Sequence, residues 1–159
     1  MVNAIVDNTV LTNFAIIKRE DILQKVFDGV LFTANEVLQE FQRGEKRGVL
    51  PNTDWSWIQV LKIESDKERP VFERLTERLG SGESACLSLA INRNMKILTD
   101  DLETRSCAQR LGISVSGTIG LLVLAVKKGI ISLEEGNKFL FEMVENGYYS
   151  PYKSLNTLL

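Results

Sequence analysis

Residues 96–118 read KILTDDLETRSCAQRLGISVSGT, and their pattern decides the fold class of the chain. Residues 96–99 are a short, mostly apolar run of the kind found in buried strands, and two aspartates follow at once. Residues 102–111 predict a helix, and Gly112 stands where a glycine commonly closes one. Residues 113–115 predict a second strand. Two short strands joined by a helix indicate a parallel pair and therefore an α/β sheet.

The same alternation of short strands and helices extends through the rest of the chain. Further strands are predicted at residues 3–6, 30–32 and 57–63, and the last has the pattern of a sheet edge. Helices are predicted over residues 10–17, 21–27, 33–41, 65–79, 81–94, 119–126 and 132–144. The sequence shows no repeat, linker or low-complexity segment, so a single domain over residues 1–159 is expected.

Helix starts are marked by three Ser/Thr-x-x-Glu capping boxes, in which two side chains satisfy free backbone N–H groups. They are Thr33–Glu36, Ser65–Glu68 and Ser132–Glu135. Ser150 and Pro151 predict the N-cap and the first residue of a final short helix.

The composition restricts the chemistry more than the fold. Fractions of 44% hydrophobic and 25% charged residues are typical of a soluble globular protein. The chain contains no histidine, which excludes Ser-His-Asp and Cys-His nucleophile systems and HExxH zinc sites. Any catalysis must therefore rely on carboxylates, hydroxyls, lysines, arginines or the two thiols.

Cysteines, charge and hydropathy are those of a cytoplasmic protein with no membrane span. Cys86 and Cys107 are far apart and are expected to be buried thiols in a reducing cytosol. The N-terminal segment lacks the basic start of a signal peptide. The longest apolar run, Leu121–Val126, is far shorter than the ~20 residues that cross a bilayer. With a net charge of −2, any binding of nucleic acid needs local basic patches.

Acidic residues collect where the predicted sheet would bind a ligand. Asp7, Asp100 and Asp101 follow predicted strands, and ligands of open parallel sheets bind beyond the carboxyl ends of the strands. Glu40 and Glu83 lie on helices near the same edge. If these acids converge, each close pair repels by about 4 kcal/mol at ~4 Å. An all-oxygen site of this kind favours Mg²⁺ or Mn²⁺.

Each of these acids also has a purely structural explanation. The alternatives are an Asx turn at Asp7, a helix-dipole interaction of Glu83, an ion pair of Glu40 with Arg43, and capping of the next helix by Asp100 and Asp101. Spacing alone leaves both interpretations open.

Several motifs, in order along the chain, resemble the PIN-domain nucleases, in particular their small prokaryotic subgroup. The matching segments are VDNTVL (6–11), EVLQEF (36–41), GESACLSLA (82–90), ILTDDLETR (97–105), LGISVSGTIGLL (111–122), KGI (128–130) and GYYS (147–150). Each motif is short, but the ordered set spans almost the whole chain.

The resemblance implies a fold and a set of site residues. The fold is a three-layer α/β/α architecture with a mainly parallel central sheet. The implied catalytic carboxylates are Asp7, Glu40, Glu83 and Asp101. The implied ligands of Mg²⁺ or Mn²⁺ are Asp7, Glu83, Asp100 and Asp101. The residues expected to line the substrate pocket are Thr9, Thr99, Arg105 and Thr118.

The implied activity is endonucleolytic cleavage of single-stranded RNA, which leaves a 5′-phosphate and a 3′-hydroxyl. The resemblance also implies a toxin paired with an antitoxin protein that covers the pocket, and a homodimer. Arg105 is expected to contact a phosphate or an antitoxin acid, or else to pair with Asp101 one helical turn away. The basic segment Arg43, Lys46 and Arg47 is either a phosphate-binding patch or a solvated loop.

The chain departs from the family pattern at three places. Asn8 stands where threonine is more usual, Glu83 stands where many members have aspartate, and no strand-end aspartate follows Val115. Two other functions remain open. One is a PIN-like module that binds RNA or protein without cutting, and the other is a phosphatase-like or receiver-type α/β domain, which the strand order disfavours.

Overall fold

A computed structural model describes residues 2–159 of the chain. Its sheet has five strands, which are β1 (Ala4–Val6), β2 (Leu31–Ala34), β3 (Gln59–Leu61), β4 (Lys96–Leu98) and β5 (Val115–Ser116). All neighbouring pairs are parallel, in the order β3-β2-β1-β4-β5. The predicted parallel sheet is confirmed, with 57–63 reduced to β3 at one edge.

Eight α-helices flank this sheet and complete the three-layer α/β/α architecture. They are α1 (Asn8–Ile16), α2 (Glu20–Val26), α3 (Asn35–Lys46), α4 (Glu68–Leu75), α5 (Ser81–Arg93), α6 (Leu102–Arg110), α7 (Thr118–Lys127) and α8 (Leu133–Glu145). A short 3₁₀ helix, Asn156–Leu158, follows. Within residues 2–159 no helix has both the length and the apolar character needed to cross a membrane.

The strand order places a crevice beside the central strand. β1 pairs with β2 on one side and with β4 on the other, and Ala4 is in register with both Leu31 and Lys96. The chain leaves β1 toward β2 but leaves β4 toward β5, so the connections diverge between β1 and β4. Such a switch point opens a ligand crevice at the carboxyl ends of the two strands.

The core lies on β1 and beneath α5. All three residues of β1 are buried, and the face of α5 from Ser84 to Ala90 is buried against β1, β2 and β4. Cys86 on α5 and Cys107 on α6 are both buried free thiols, as the sequence predicted. α5 thus brings its own first turn to the switch point.

One of the three predicted capping boxes is wrong. Thr33 belongs to β2, where its hydroxyl donates to the carbonyl oxygen of Val6 at 2.8 Å, and α3 begins only at Asn35. The box at Ser132 is present with both of its hydrogen bonds. The box at Ser65 is also formed, since Ser65 and Glu68 exchange bonds of 3.0 and 3.3 Å. Thr33 differs because its hydroxyl already has an acceptor on the neighbouring strand.

The predicted helix at Ser150 is also wrong. Ser150 and Tyr152 form a tight turn instead, in which the serine hydroxyl donates to Tyr152 O at 2.6 Å and accepts from Tyr152 N at 3.1 Å. The chain then runs to Leu155, whose N–H donates to Asn137 Oδ1 on α8 at 2.8 Å. A side chain that binds its own turn competes with the helix that it was expected to cap.

Candidate active site

Asp7 occupies the centre of the switch-point crevice. It follows β1, has no solvent exposure, and caps α1 by accepting from Asn8 N at 2.7 Å through Oδ1. Its other oxygen, Oδ2, accepts from the hydroxyls of Thr99 at 2.7 Å and Thr9 at 3.2 Å. The carboxyl group is therefore fixed by donors from the start of α1 and from the residue that follows β4.

The surroundings of Asp7 oppose its ionisation. Burial raises the pKa of Asp7 to about 7, and the hydrogen bond from Thr99 only partly offsets this effect. The charges of Glu83 and Glu40 raise it further. A carboxyl group with a pKa near neutrality is the kind of perturbed residue that marks functional sites.

Glu83 connects Asp7 to the other acids. It lies half-buried in the first turn of α5, and burial, followed by the charges of Glu40 and Asp101, raises its pKa. α5 comes close to α3 here, because a Cβ on Gly82 would lie 3.4 Å from Val37 and 3.8 Å from Glu40 Oε1. Glu83 therefore interacts electrostatically with Glu40 and Asp101, and Asp7 interacts with Glu83 and Glu40.

Asp101 has a structural task as well. It is the N-cap of α6, and its Oδ2 accepts from Thr104 N at 2.9 Å and from Thr104 Oγ1 at 2.7 Å. Its own N–H donates to Thr99 Oγ1 at 3.2 Å. The capping alternative is thus confirmed for Asp101, and it does not remove the residue from the cluster.

Asp100 joins a second network beside the first. Its Oδ1 accepts from Thr118 N at 2.8 Å, and its Oδ2 accepts from Asn13 Nδ2 at 3.0 Å and from the hydroxyl of Thr118. A Cβ on Gly117 would collide with Asp100 Oδ1 and lie 2.9 Å from Arg105 Nη1, so only glycine fits there. Asp100 thus ties the end of β4 to α1 and to the start of α7.

Asn13 is a site residue that the sequence did not reveal. It is 5% exposed, and its Nδ2 donates to both Asp100 and Thr118. A signal was present, since Asn13 lies among the apolar residues that α1 buries. A buried amide needs partners and therefore points to a polar network.

The predicted pocket-lining residues turn toward the acids. Thr99 and Thr118 have no solvent exposure and are bound to Asp7 and Asp100, respectively. Thr9 is half-buried and also accepts from Asp100 N at 2.9 Å. Their hydroxyls are therefore occupied in holding carboxyl groups.

Arg105 lies half-buried beside the site, where its Nη1 donates to Thr99 O at 3.0 Å. Burial raises the pKa of Asp100, and the hydrogen bonds from Thr118 and Asn13 and the charge of Arg105 only partly offset this effect. Among the ion pairs of residues 2–159, neither Asp101–Arg105 nor Glu40–Arg43 occurs. Both of these alternatives are therefore wrong. The exposed basic residues Arg43, Lys46 and Arg47 close α3, where positive charge complements the helix dipole. Their contact with phosphate stays a prediction.

The donor set suits a hard divalent cation, because it consists of carboxylate oxygens that repel one another. Within residues 2–159, however, no three acidic or thiol side chains are arranged closely enough to hold a metal ion together. The chemistry of the donors fits a divalent cation such as Mg²⁺ or Mn²⁺, whereas the distances between the side chains are larger than a bound ion needs.

A separate cavity of about 970 Å³ lies at the opposite end of the strands, near Asn3 and Lys96. Asp28 is the acidic residue in its lining, and it forms an ion pair of 2.7 Å with Lys128. This cavity has none of the clustered acids and is not the candidate site.

Comparisons with known proteins agree with this geometry. A family model described as "DUF3368: PIN domain" matches residues 3–159. No curated protein matches the chain. Sixteen chains of solved structures match. Among them is a chain of the crystal structure of VapBC2 from Rickettsia felis bound to a DNA fragment from their promoter, with a TM-score of 0.53 and 13% identity, over 74% of this chain and 99% of that one. At this identity the likeness shows a shared fold.

Proposed function

The chain belongs to the PIN-domain family, and from this premise we propose that it is a metal-dependent endoribonuclease acting on single-stranded RNA. The observation that carries the proposal is the carboxyl group of Asp7, which is fully buried and is destabilised as an anion by Glu83 and Glu40. Either a proton or a bound divalent cation relieves such an arrangement, and we infer that a cation does so in the active protein.

Asp7, Glu83 and Asp101 are the residues that would hold Mg²⁺ or Mn²⁺, and Glu40 lies beside them. When bound, such an ion lowers the pKa of water and neutralises charge on a phosphodiester. The buried surroundings of Asp7 keep competing water away from its carboxyl group. The helix N-cap formed by Asp101 fixes the position of that side chain before any ligand arrives.

The neighbouring residues take positioning roles in this proposal. Thr99 and Thr118 are too buried to reach a substrate, so we assign them to orienting Asp7 and Asp100. Asp100 is bonded to Thr118 and Asn13 in the second network and does not face Glu83 or Glu40, so it is likewise assigned to holding the crevice and not to the metal. Arg105 is the residue that would contact a substrate phosphate.

We further propose that the chain, as a single domain, is the cytoplasmic toxin of a toxin–antitoxin pair and forms a homodimer. The likeness to the VapBC2 structure supports this role. Co-purification with the product of a neighbouring short reading frame, and light scattering of the purified chain, test the antitoxin and the dimer separately.

Cleavage of a labelled single-stranded RNA tests the nuclease. We expect cutting in Mn²⁺ or Mg²⁺, products with 5′-phosphates, and complete inhibition by EDTA. Asp7→Asn and Asp101→Asn should each abolish cutting with an unchanged circular dichroism spectrum. Asp28→Asn, which removes an exposed acid at the far end of the sheet, is the matched control and should cut normally.

Two results would contradict the proposal. A wild-type protein that binds RNA in Mn²⁺ without cutting it would support the non-catalytic PIN-like module instead. Undiminished cutting by both Asp7→Asn and Asp101→Asn would show that the carboxylate cluster is not the active site.

A further inference from the structure

The segment after α8 builds a tyrosine-lined pocket next to the carboxylate cluster. Gly147, with φ of +110°, turns the chain away from the end of α8, and Tyr148 N then donates to Met143 O at 3.0 Å. The Ser150–Tyr152 turn fixes the residues that follow. Tyr148, Tyr149 and Tyr152 are thereby presented on one side of the sheet edge.

This tyrosine pocket has a volume of about 360 Å³. Its lining includes the three tyrosines, Leu102, Arg105, Asp100 and the glycines Gly117 and Gly120. The volume lies near the lower end of the ~300–1,000 Å³ found for small-molecule sites, which suits a group the size of one nucleobase.

A neighbouring cavity connects the tyrosine pocket with Asp101, one of the four clustered acids. This cavity, of about 480 Å³, contains Asp101 and Thr9 in its lining and shares Asp100, Leu102, Tyr148 and Tyr149 with the tyrosine pocket. A nucleotide chain bound along these two cavities would therefore contact both Asp101 and the tyrosines.

The exposure of the aromatic residues is unusual for a structural role. Tyr149 is 91% exposed and Leu102 is 75% exposed, so both offer apolar surface to solvent at the mouth of the pocket. Tyr148 is more enclosed, and burial, followed by the charge of Asp100, raises the pKa of its hydroxyl. Tyr148 therefore stays neutral and contributes a ring instead of a charge.

Charge in the pocket favours a neutral base with a phosphate at the rim. Arg105 is the basic residue in the lining, and the oxygens of Asp100 already accept from Thr118 and Asn13. Unpaired bases of single-stranded nucleic acids stack on tyrosine rings and on guanidinium planes, with little dependence on base identity.

We propose that the tyrosine pocket is a nucleobase subsite, in which Tyr149 stacks on an unpaired base and Arg105 contacts the adjoining phosphate. The inference rests on the proposed function for its substrate class, single-stranded RNA. It adds a binding determinant outside the carboxylate cluster.

Fluorescence anisotropy in EDTA tests the subsite without relying on catalysis. The probes are a fluorescein-labelled, mixed-sequence single-stranded RNA and an abasic backbone of the same length. Tyr149→Ala should raise the Kd for the RNA by about 5- to 100-fold, the range of one lost stacking contact, and leave the Kd for the abasic backbone unchanged. Tyr149→Phe keeps the ring and should bind as the wild type does.

Phe141→Ala is the matched control, because Phe141 is 64% exposed on α8 and lies outside the pocket lining. It should bind both probes normally. Equal weakening of both probes by Tyr149→Ala, or no wild-type binding in EDTA, would overturn the subsite. An RNA affinity that is the same in Tyr149→Ala and the wild type would also overturn the subsite. The exposed tyrosines would then be assigned to contact with a protein partner.

A parallel cleavage assay in Mn²⁺ separates this proposal from the nuclease. If RNA binding depends on Tyr149 but the protein does not cut RNA, the subsite is supported and the nuclease proposal is contradicted. If the wild type cuts normally and Tyr149→Ala has an unchanged Kd and cleavage rate, the subsite is contradicted and the nuclease proposal is supported.

Discussion

The hydroxyl of Thr99 donates to Oδ2 of Asp7 at 2.7 Å and so joins the ends of the two strands that border the crevice. Because this bond favours the ionised carboxyl group, it lowers the pKa of Asp7 against the effect of burial. Metal binding competes with the proton on Asp7, so affinity for Mn²⁺ should rise about tenfold per pH unit below a pH of about 7. The pH at which the Mn²⁺ affinity stops rising should be higher in Thr99→Val than in the wild type. Calorimetric titration of Mn²⁺ between pH 5 and pH 8 measures it.

Thr99→Ser is the control for that experiment, because serine keeps the hydroxyl and should keep the wild-type pH profile. If the Mn²⁺ affinity of Thr99→Val levels off at the same pH as that of the wild type, Thr99 does not affect the ionisation of Asp7.

Without metal, Asp7 should make the protein less stable as the pH rises. Its pKa is raised from 3.8 to about 7 in the folded state, so the folded protein binds the proton more tightly than the unfolded chain does. The contribution of Asp7 to the free energy of unfolding falls by about 4 kcal/mol between pH 4 and pH 7 and is constant above that range. Asp7→Asn should remove the decline and be more stable than the wild type at pH 8. Urea unfolding in EDTA at several pH values measures both proteins, and parallel curves would contradict the prediction.

Glu68 should show the opposite dependence on pH. It is 3% exposed, and Arg93 contacts both of its oxygens, at 2.7 and 3.2 Å, which lowers the pKa of Glu68 from 4.5 to about 2. Its stabilisation, about 3 kcal/mol, is present above pH 4.5 and is lost as the pH falls toward 2. Glu68→Gln should therefore be destabilised at pH 7 and resemble the wild type near pH 2. The exposed neighbour Asp66→Asn should change little at either pH.

Adjacent aspartates should respond differently to the same substitution. Asp100 accepts from Thr118 N, Thr118 Oγ1 and Asn13 Nδ2. In Asp100→Asn an NH₂ group replaces one carboxylate oxygen, so one or more of these donors loses its acceptor and faces another donor. Asp100→Asn should therefore lose about 1–3 kcal/mol of stability. Asp101→Asn should keep its stability, since asparagine is an equally good N-cap, and lose cleavage. Urea unfolding and RNA cleavage of both variants decide this. A stable Asp100→Asn protein would refute the positioning role of Asp100.

The sequence predicted the central strands well because each is a short apolar run that ends at a polar residue. The apolar residues 4–6 and 97–98 are buried in a central parallel sheet, which is where such runs are typically found. The predictions at Thr33 and Ser150 failed because a hydroxyl can bind either a helix N-terminus or a nearer backbone group. Which acceptor lies nearest is decided by tertiary structure, as the bond from Thr33 to Val6 O shows.

The acids of the site were predictable in identity but not in role. Asp7 interacts with Glu83 and Glu40, and Glu83 interacts with Asp101, so these acids lie at the same edge of the sheet, while their catalytic roles stay a prediction. The division of labour between Asp100 and Asp101 was not predictable, because it depends on Asn13, which lies 87 residues away in sequence from Asp100. Adjacent residues at a strand end point to different sides, so Asp101 faces Glu83 in the carboxylate cluster and Asp100 faces Asn13 on α1.

Addition of Mn²⁺ should stabilise the wild-type protein and not the Asp7→Asn variant. A ligand that binds only the folded state stabilises it by about 2.7 kcal/mol at a hundred times its Kd. For a domain of this size, each kcal/mol raises the Tm by about 2–4 °C, so a rise of about 5–10 °C is expected. Asp28→Asn, at the opposite end of the sheet, should rise as far as the wild type. Differential scanning fluorimetry with Mn²⁺, each sample matched by one in EDTA, measures the shift. An equal rise in Asp7→Asn would mean that Mn²⁺ binds elsewhere on the surface, and the buried carboxyl group would then need a different explanation.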